Sequence, residues 1–226
     1  MQNTAEALNV RNHGARYYPG AVIDVLNDLR AALIDLPEDQ AGIRISGLET
    51  LHPFLAANGS ISSIAAQVLG PASRPVRAIL FDKTARTNWS LAWHQDRTIC
   101  VRQRIDVDGF GPWTIKHGMQ HVAPPFDLLT RMVTLRVHLD DVPATNAPLL
   151  IAPGSHLAGR IPVDKVAGVV RRLGIRACTA RAGDVWLYAI PILHASEAAT
   201  LPRHRRVLQV DFAAEDLPGG LQWLGV

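Results

Sequence analysis

The stretch Val133 to Asp140, VTLRVHLD, alternates without a break. Val133, Leu135, Val137 and Leu139 take one side, and Thr134, Arg136, His138 and Asp140 take the other. A side-chain period of two belongs to an extended strand and not to a helix. The segment reads as a central strand with one apolar packing face and one polar face that need not be exposed.

Short runs of the same texture extend outward on both sides, all of them after Pro75. They are VRAILFDKT (76–84), RTICVRQRIDV (97–107), APLLIA (147–152), IRACTA (175–180), DVWLYAI (184–190) and RRVLQVDFAA (205–214), separated by Gly, Pro, Asp and Asn clusters. A short helix over about 163–173 interrupts them. Before Pro75 the periodicity is different. Val22, Val25, Leu26, Leu29, Leu33 and Leu36 form a helical stripe between Pro19-Gly20 and Pro37, and two shorter helices flank Asn58-Gly59-Ser60. No repeat of solenoid period occurs. The expected architecture is mainly β with flanking helices: an antiparallel jelly roll, the double-stranded β-helix of cupins, with N-terminal helices packed on one sheet. A single domain over 1–226 is expected, with residues 1–74 mostly helical and residues 75–226 forming the jelly-roll core.

Composition narrows the class. Of 226 residues 48% are apolar and 19% charged, which supports a sizeable core. The net charge of +3 is mild and the arginines are scattered without interleaved aromatics, so nucleic acid is not an expected partner. Two cysteines, Cys100 and Cys178, give no disulfide framework. The opening residues show no apolar signal-peptide core, and no apolar run approaches the ~20 residues of a membrane span. A cytoplasmic protein is expected.

In SLAWHQDRTICV (90–101), His94 and Asp96 stand two apart and share a strand face. An imidazole beside a carboxylate is either an ordinary hydrogen-bonded pair or two members of a two-histidine, one-carboxylate facial triad for non-haem Fe(II). The third member of such a triad is a histidine on a distant strand. Among the nine histidines His194 stands out, because a Gly-Asp turn launches the apolar strand that leads to it, and Arg205 follows at the head of the last strong strand.

In these elements the chain resembles the phytanoyl-CoA dioxygenase-like Fe(II)- and 2-oxoglutarate-dependent oxygenases. The resemblance covers roughly 76–213 and rests on His94-Gln95-Asp96, Pro153-Gly154-Ser155-His156, His194-Ala195-Ser196 and Arg205. It implies His94, Asp96 and His194 as iron ligands, and Arg205, with Ser196 beside it, as the partner of the far carboxylate of 2-oxoglutarate. It implies Fe(II), 2-oxoglutarate and O2 as cofactor and cosubstrates, and a hydroxylase that releases succinate and CO2; Asp96, which halogenase relatives lack, favours hydroxylation. Two positions depart from the family pattern. Ala195 and Ala147 stand where the family usually has glycine.

The residues support this independently. A diacid that chelates a metal through one end needs a fixed cation for the other, and the planar fork of arginine pairs bidentately. Arg206 is the rival of Arg205, and a one-residue slip decides between them. Arg136 and Thr134, on the polar face of the central strand, and Lys83 are further candidate cosubstrate contacts, with an ion pair to Asp211 the alternative for Arg136. The long segment 97–130 reads as a lid over a small-molecule substrate, with Arg97, Phe110, Trp113 and His117 in the pocket. Two other readings remain: a cupin-like metalloenzyme without 2-oxoglutarate, and a non-catalytic jelly-roll binding protein that retains the triad.

Overall fold

The computed structural model describes residues 7–37 and 40–226. The alternating stretch forms β8 (Val133–His138), hydrogen-bonded on one side to β11 (Val185–Ala189) and on the other to β13 (Arg205–Ala213). All six β8 residues are buried. β1 (Ala15–Tyr18) extends the sheet beyond β11; β3 (Arg74–Lys83) and then β2 (Gly42–Ile45) extend it beyond β13. A second sheet runs β10 (Arg176–Cys178), β9 (Leu149–Ile151), β12 (His194–Ser196), β4 (Leu91–His94). Every registered pair in both sheets is antiparallel. This is the expected jelly roll. β1 and β2 lie within the N-terminal region read as helical, and at four residues each they are too short for a period to show.

The large sheet sorts its residues by parity. Leu135 and Val137 of β8, Leu208 and Val210 of β13 and Leu80 of β3 join one buried cluster with Leu29, Leu51, Ile61 and Ile64. Leu29, Leu51 and Ile64 come from the N-terminal helical elements, among them the helices Leu26–Ala32 and Ser62–Leu69, and Ile61 stands at the N-cap of the latter. A buried leucine contributes about 1.5–3 kcal/mol, so this layer is what attaches the helices to the sheet. The opposite parity, with Arg77, Ile79, Phe81, Arg136, Gln209 and Arg205, lines the interior of the roll. Gly183, at φ +92°, turns the chain into β11 where a Cβ would come within 2.9 Å of Ile23. The next residue, Asp184, accepts from the Gly20 and Arg181 amides at 2.7 and 2.6 Å and from the Tyr17 hydroxyl.

The segment expected as a lid is a third sheet of its own: β5 (Ile99–Val101), β7 (Met119–Val122), β6 (Trp113–Lys116), followed by a helical turn at Phe126–Thr130. Ile99, Val101 and Val122 share a buried cluster with Leu217, Leu221 and Trp223, so the C-terminal segment holds this sheet in place.

Candidate metal centre

His94 ends β4, and Gln95 turns away from its neighbours. Its amide donates to the Gly159 and Pro191 carbonyls at 2.9 and 2.8 Å, and its carbonyl accepts from the Ile161 amide at 2.9 Å. Alternation then returns Asp96 to the side of His94, and three bonds from Gln95 fix both. His194 is the cross-strand partner of His94, with ring centroids 4.3 Å apart. The ligand atoms of His94, Asp96 and His194 lie within 4.8 Å of one another.

The chemistry of this donor set suits Fe(II). His94 Nδ1 lies 2.8 Å from the Ala92 carbonyl, and His194 Nδ1 lies 3.0 Å from the Ile192 carbonyl. In each ring Nδ1–H donates to the carbonyl, which leaves Nε2 free as a ligand. Burial lowers the pKa of His194 to about 4, against the pull of Asp96. Burial opposes the charge of Asp96, but His194, Arg77 and His94 outweigh it and its pKa is lowered. At neutral pH His194 therefore presents a neutral nitrogen and Asp96 an ionised oxygen, the donor states a metal needs.

These three residues share a cavity of about 180 Å³ with Arg205, Arg136, Ser196 and Gln209. Arg205 is 2% exposed, and none of the described carboxylates forms an ion pair with it. Burial and the neighbouring Arg136 disfavour its charge, lowering its pKa to about 9, so it stays protonated at neutral pH. Its Nη1 donates to the Ala147 carbonyl, and its Nε has no partner. Arg206 takes the opposite face, where its amide and side chain donate to Asp140 at 2.8, 2.9 and 2.9 Å. The register therefore puts Arg205 inside.

The remaining expected cosubstrate contacts divide. Ser196 and Arg136 line the cavity; Thr134 and Lys83 do not. Thr134 donates to Asp211 at 2.8 Å. Lys83 donates to Ser196 Oγ and to the Trp89 and Glu197 carbonyls at 3.0, 2.6 and 3.0 Å, so it positions Ser196 from behind. Arg136 does not pair with Asp211. It donates to Gln209 at 3.0 Å, and the partner of Asp211 is Arg77, at 2.6 Å. Arg77 also reaches Asp96 at 3.5 Å, so it anchors the carboxylate member of the triad.

None of the four residues expected around the substrate lines this cavity. Phe110 and Trp113 pack into the cluster beneath the third sheet, Arg97 donates to the Ile161 carbonyl at 2.5 Å, and His117 sits exposed in the β6–β7 turn at φ +50°. Mixed aromatics and cations read as a pocket lining in the sequence, whereas the aromatics satisfy the sheet's own core. From this segment the cavity receives Thr98 and Lys116 instead. Trp89, which reads in the sequence as core or pocket wall, lines it too, as do Arg44, Arg77 and Gln209, which no motif marks; only alternation with Leu80 and Leu208 points to Arg77 and Gln209 as inward-facing.

The family model "Phytanoyl-CoA dioxygenase (PhyH)" matches residues 47–207, which contain the triad and Arg205. The chain belongs to the phytanoyl-CoA dioxygenase family. Members of this family are oxygenases that use Fe(II), 2-oxoglutarate and O2. No curated protein matches the sequence. Among solved structures, EctD from S. alaskensis in its apo form is similar at 19% identity and TM-score 0.66, over 99% of this chain and 83% of that one. SnoN, a non-haem α-ketoglutarate-dependent epimerase from nogalamycin biosynthesis, is similar at 18% and 0.63, over 93% and 85%. HygX from Streptomyces hygroscopicus, whose structure holds nickel, 2-oxoglutarate and hygromycin B, is similar at 16% and 0.61, over 90% and 84%. At these identities the structural likeness speaks to the fold. Among the described residues of this phytanoyl-CoA dioxygenase family member, no helix is long and apolar enough to cross a membrane.

Proposed function

We propose that this oxygenase hydroxylates a small organic molecule at a metal held by His94, Asp96 and His194, in one domain spanning residues 1–226. The observation that carries the reading is one cavity that brings a two-histidine, one-carboxylate ligand set together with a buried arginine that no carboxylate among the described residues pairs with. Bound Fe(II), with 2-oxoglutarate and O2, supplies the oxidation, in which 2-oxoglutarate is split to succinate and CO2.

The chain's own role is to position and to shield. Gln95 and the two Nδ1 contacts hold the ligand nitrogens in one orientation, and Arg77 keeps Asp96 ionised. Arg205 pairs with the far carboxylate of 2-oxoglutarate, an arrangement that relieves the cost of burying an unpaired cation. Ser196, fixed by Lys83, and Arg136 flank that carboxylate. A metalloenzyme without 2-oxoglutarate has no use for Arg205 in this state, which favours the oxygenase over that alternative. Asp96 favours hydroxylation over halide transfer, because it fills a metal position with a protein carboxylate. The free, buried Cys100 and Cys178 suit a reducing compartment such as the cytoplasm.

The test is anaerobic Fe(II) binding by equilibrium dialysis. His94→Ala, Asp96→Ala and His194→Ala should each lose at least tenfold in affinity with unchanged far-UV circular dichroism, and His138→Ala should bind like the wild type. Loss in His138→Ala with retention in His194→Ala would overturn the ligand assignment.

A further inference from the structure

The cations in and behind the cavity wall fall into two groups. Arg205, Arg136 and Lys83 act on one another electrostatically at the Ser196 end. At the Asp96 end a second group, Arg44, Arg77 and Lys116, acts together on the buried Cys100. Arg77 is neutralised by Asp211 and Asp96. Arg44 and Lys116 are not: among the described residues no carboxylate forms an ion pair with either.

Arg44 stands on β2 opposite Ile79, whose side chain also lines the cavity. Its Nε is buried without a hydrogen-bond partner. Burial, and then Arg77, disfavour its charge. Lys116 ends β6 and lines the cavity from an exposed position. A half-buried guanidinium with an unmet donor beside another arginine is costly when the cavity holds only water. The exposed Lys116 ammonium, lining the same cavity, offers an arriving anion a second contact.

We propose that Arg44 and Lys116 form a subsite for an anionic group on the substrate, a carboxylate or a phosphate, so that the molecule oxidised is a small organic acid or phosphate ester. This rests on the proposed function in one respect: the Ser196 end must be taken by 2-oxoglutarate, leaving the Asp96 end to the substrate. Ile79, opposite Arg44 in the sheet, lines the same cavity and gives the carbon skeleton of such a molecule an apolar contact there. An ionised group clamped at one end fixes which carbon faces the metal ligands, and orientation of that kind is what a hydroxylation site requires.

The experiment uses the full chain with Mn(II) in place of iron and measures binding alone. First, 2-oxoglutarate is titrated into wild type, Arg44→Gln, Lys116→Gln and Arg205→Gln. Arg205→Gln should weaken it at least tenfold, and Arg44→Gln and Lys116→Gln less than twofold. Then benzoate, phenyl phosphate and neutral benzamide are titrated into the complex saturated with 2-oxoglutarate. One of the two anions should bind at least tenfold more tightly than benzamide, and which one does so separates a carboxylate from a phosphate site. The Arg44→Gln/Lys116→Gln double variant should lose that preference. Equal binding of benzamide, a preference that survives the double substitution, or a tenfold loss of 2-oxoglutarate in Arg44→Gln overturns the inference. Should the wild type bind no 2-oxoglutarate, the proposed function fails. The anion titrations, run without it, then support the subsite if the double variant loses the preference and overturn it if the preference stays.

Discussion

Ala147 shows at the residue scale how a departure from the family pattern is tolerated. It occupies the left-handed region at φ +51°, where the family usually places glycine, and its carbonyl accepts from Arg205. An alanine there is strained by roughly 1–2 kcal/mol, some of which glycine's greater freedom in the unfolded chain would offset. Ala147→Gly should therefore raise stability by roughly 0.5–1 kcal/mol, which for a chain of this length is a melting-temperature increase of about 2 °C. Thermal denaturation checks it, and a fall in melting temperature would mean that the alanine methyl makes a contact worth more than the strain. The residues that the fold gathers in one cavity were readable in the sequence wherever a motif carried them, as at His94, Asp96, His194 and Arg205. Gln95, Arg77 and Arg44 were not readable, because their roles depend on which strand lies beside them, and a single sequence does not state that register.

At the scale of elements, the strands after Pro75 could be read because their apolar residues recur with a period of two. The third sheet could not. β5, β6 and β7 are three or four residues each, and what stabilises them is Leu217, Leu221 and Trp223 from the far end of the chain. The structure gives Trp113 a packing role in that cluster, with the Arg104 guanidinium 5.5 Å from its ring centroid. Trp113→Ala should therefore destabilise the protein by about 2 kcal/mol, below the full cost of emptying a core site because the ring is only partly buried. It should leave 2-oxoglutarate affinity within twofold. Denaturant midpoints beside a 2-oxoglutarate titration check this, and an unchanged midpoint with lost binding would return Trp113 to the pocket.

Over the whole molecule, the large sheet separates two environments by parity. One face is a hydrophobic layer that seats the N-terminal helices; the other carries the arginines, the glutamine and the buried acid of the interior. The alternation in Val133 to Asp140 announced both faces, and the structure adds that the polar face is as buried as the apolar one. The cavity is lined by Arg44, Arg77, Lys116, Arg136 and Arg205 but by one carboxylate, Asp96, an excess of positive charge that favours bound anions. The central claim is that Arg205 is the cation that receives 2-oxoglutarate. The most direct test titrates 2-oxoglutarate calorimetrically into the anaerobic Fe(II) protein as wild type, Arg205→Gln and Arg206→Gln. The wild type should show one site. Arg205→Gln should lose roughly 10- to 100-fold in affinity, as expected for a charge-assisted hydrogen bond in a shielded cavity, and Arg206→Gln should change it less than twofold. Wild-type affinity in Arg205→Gln, or a larger loss in Arg206→Gln, would contradict the claim.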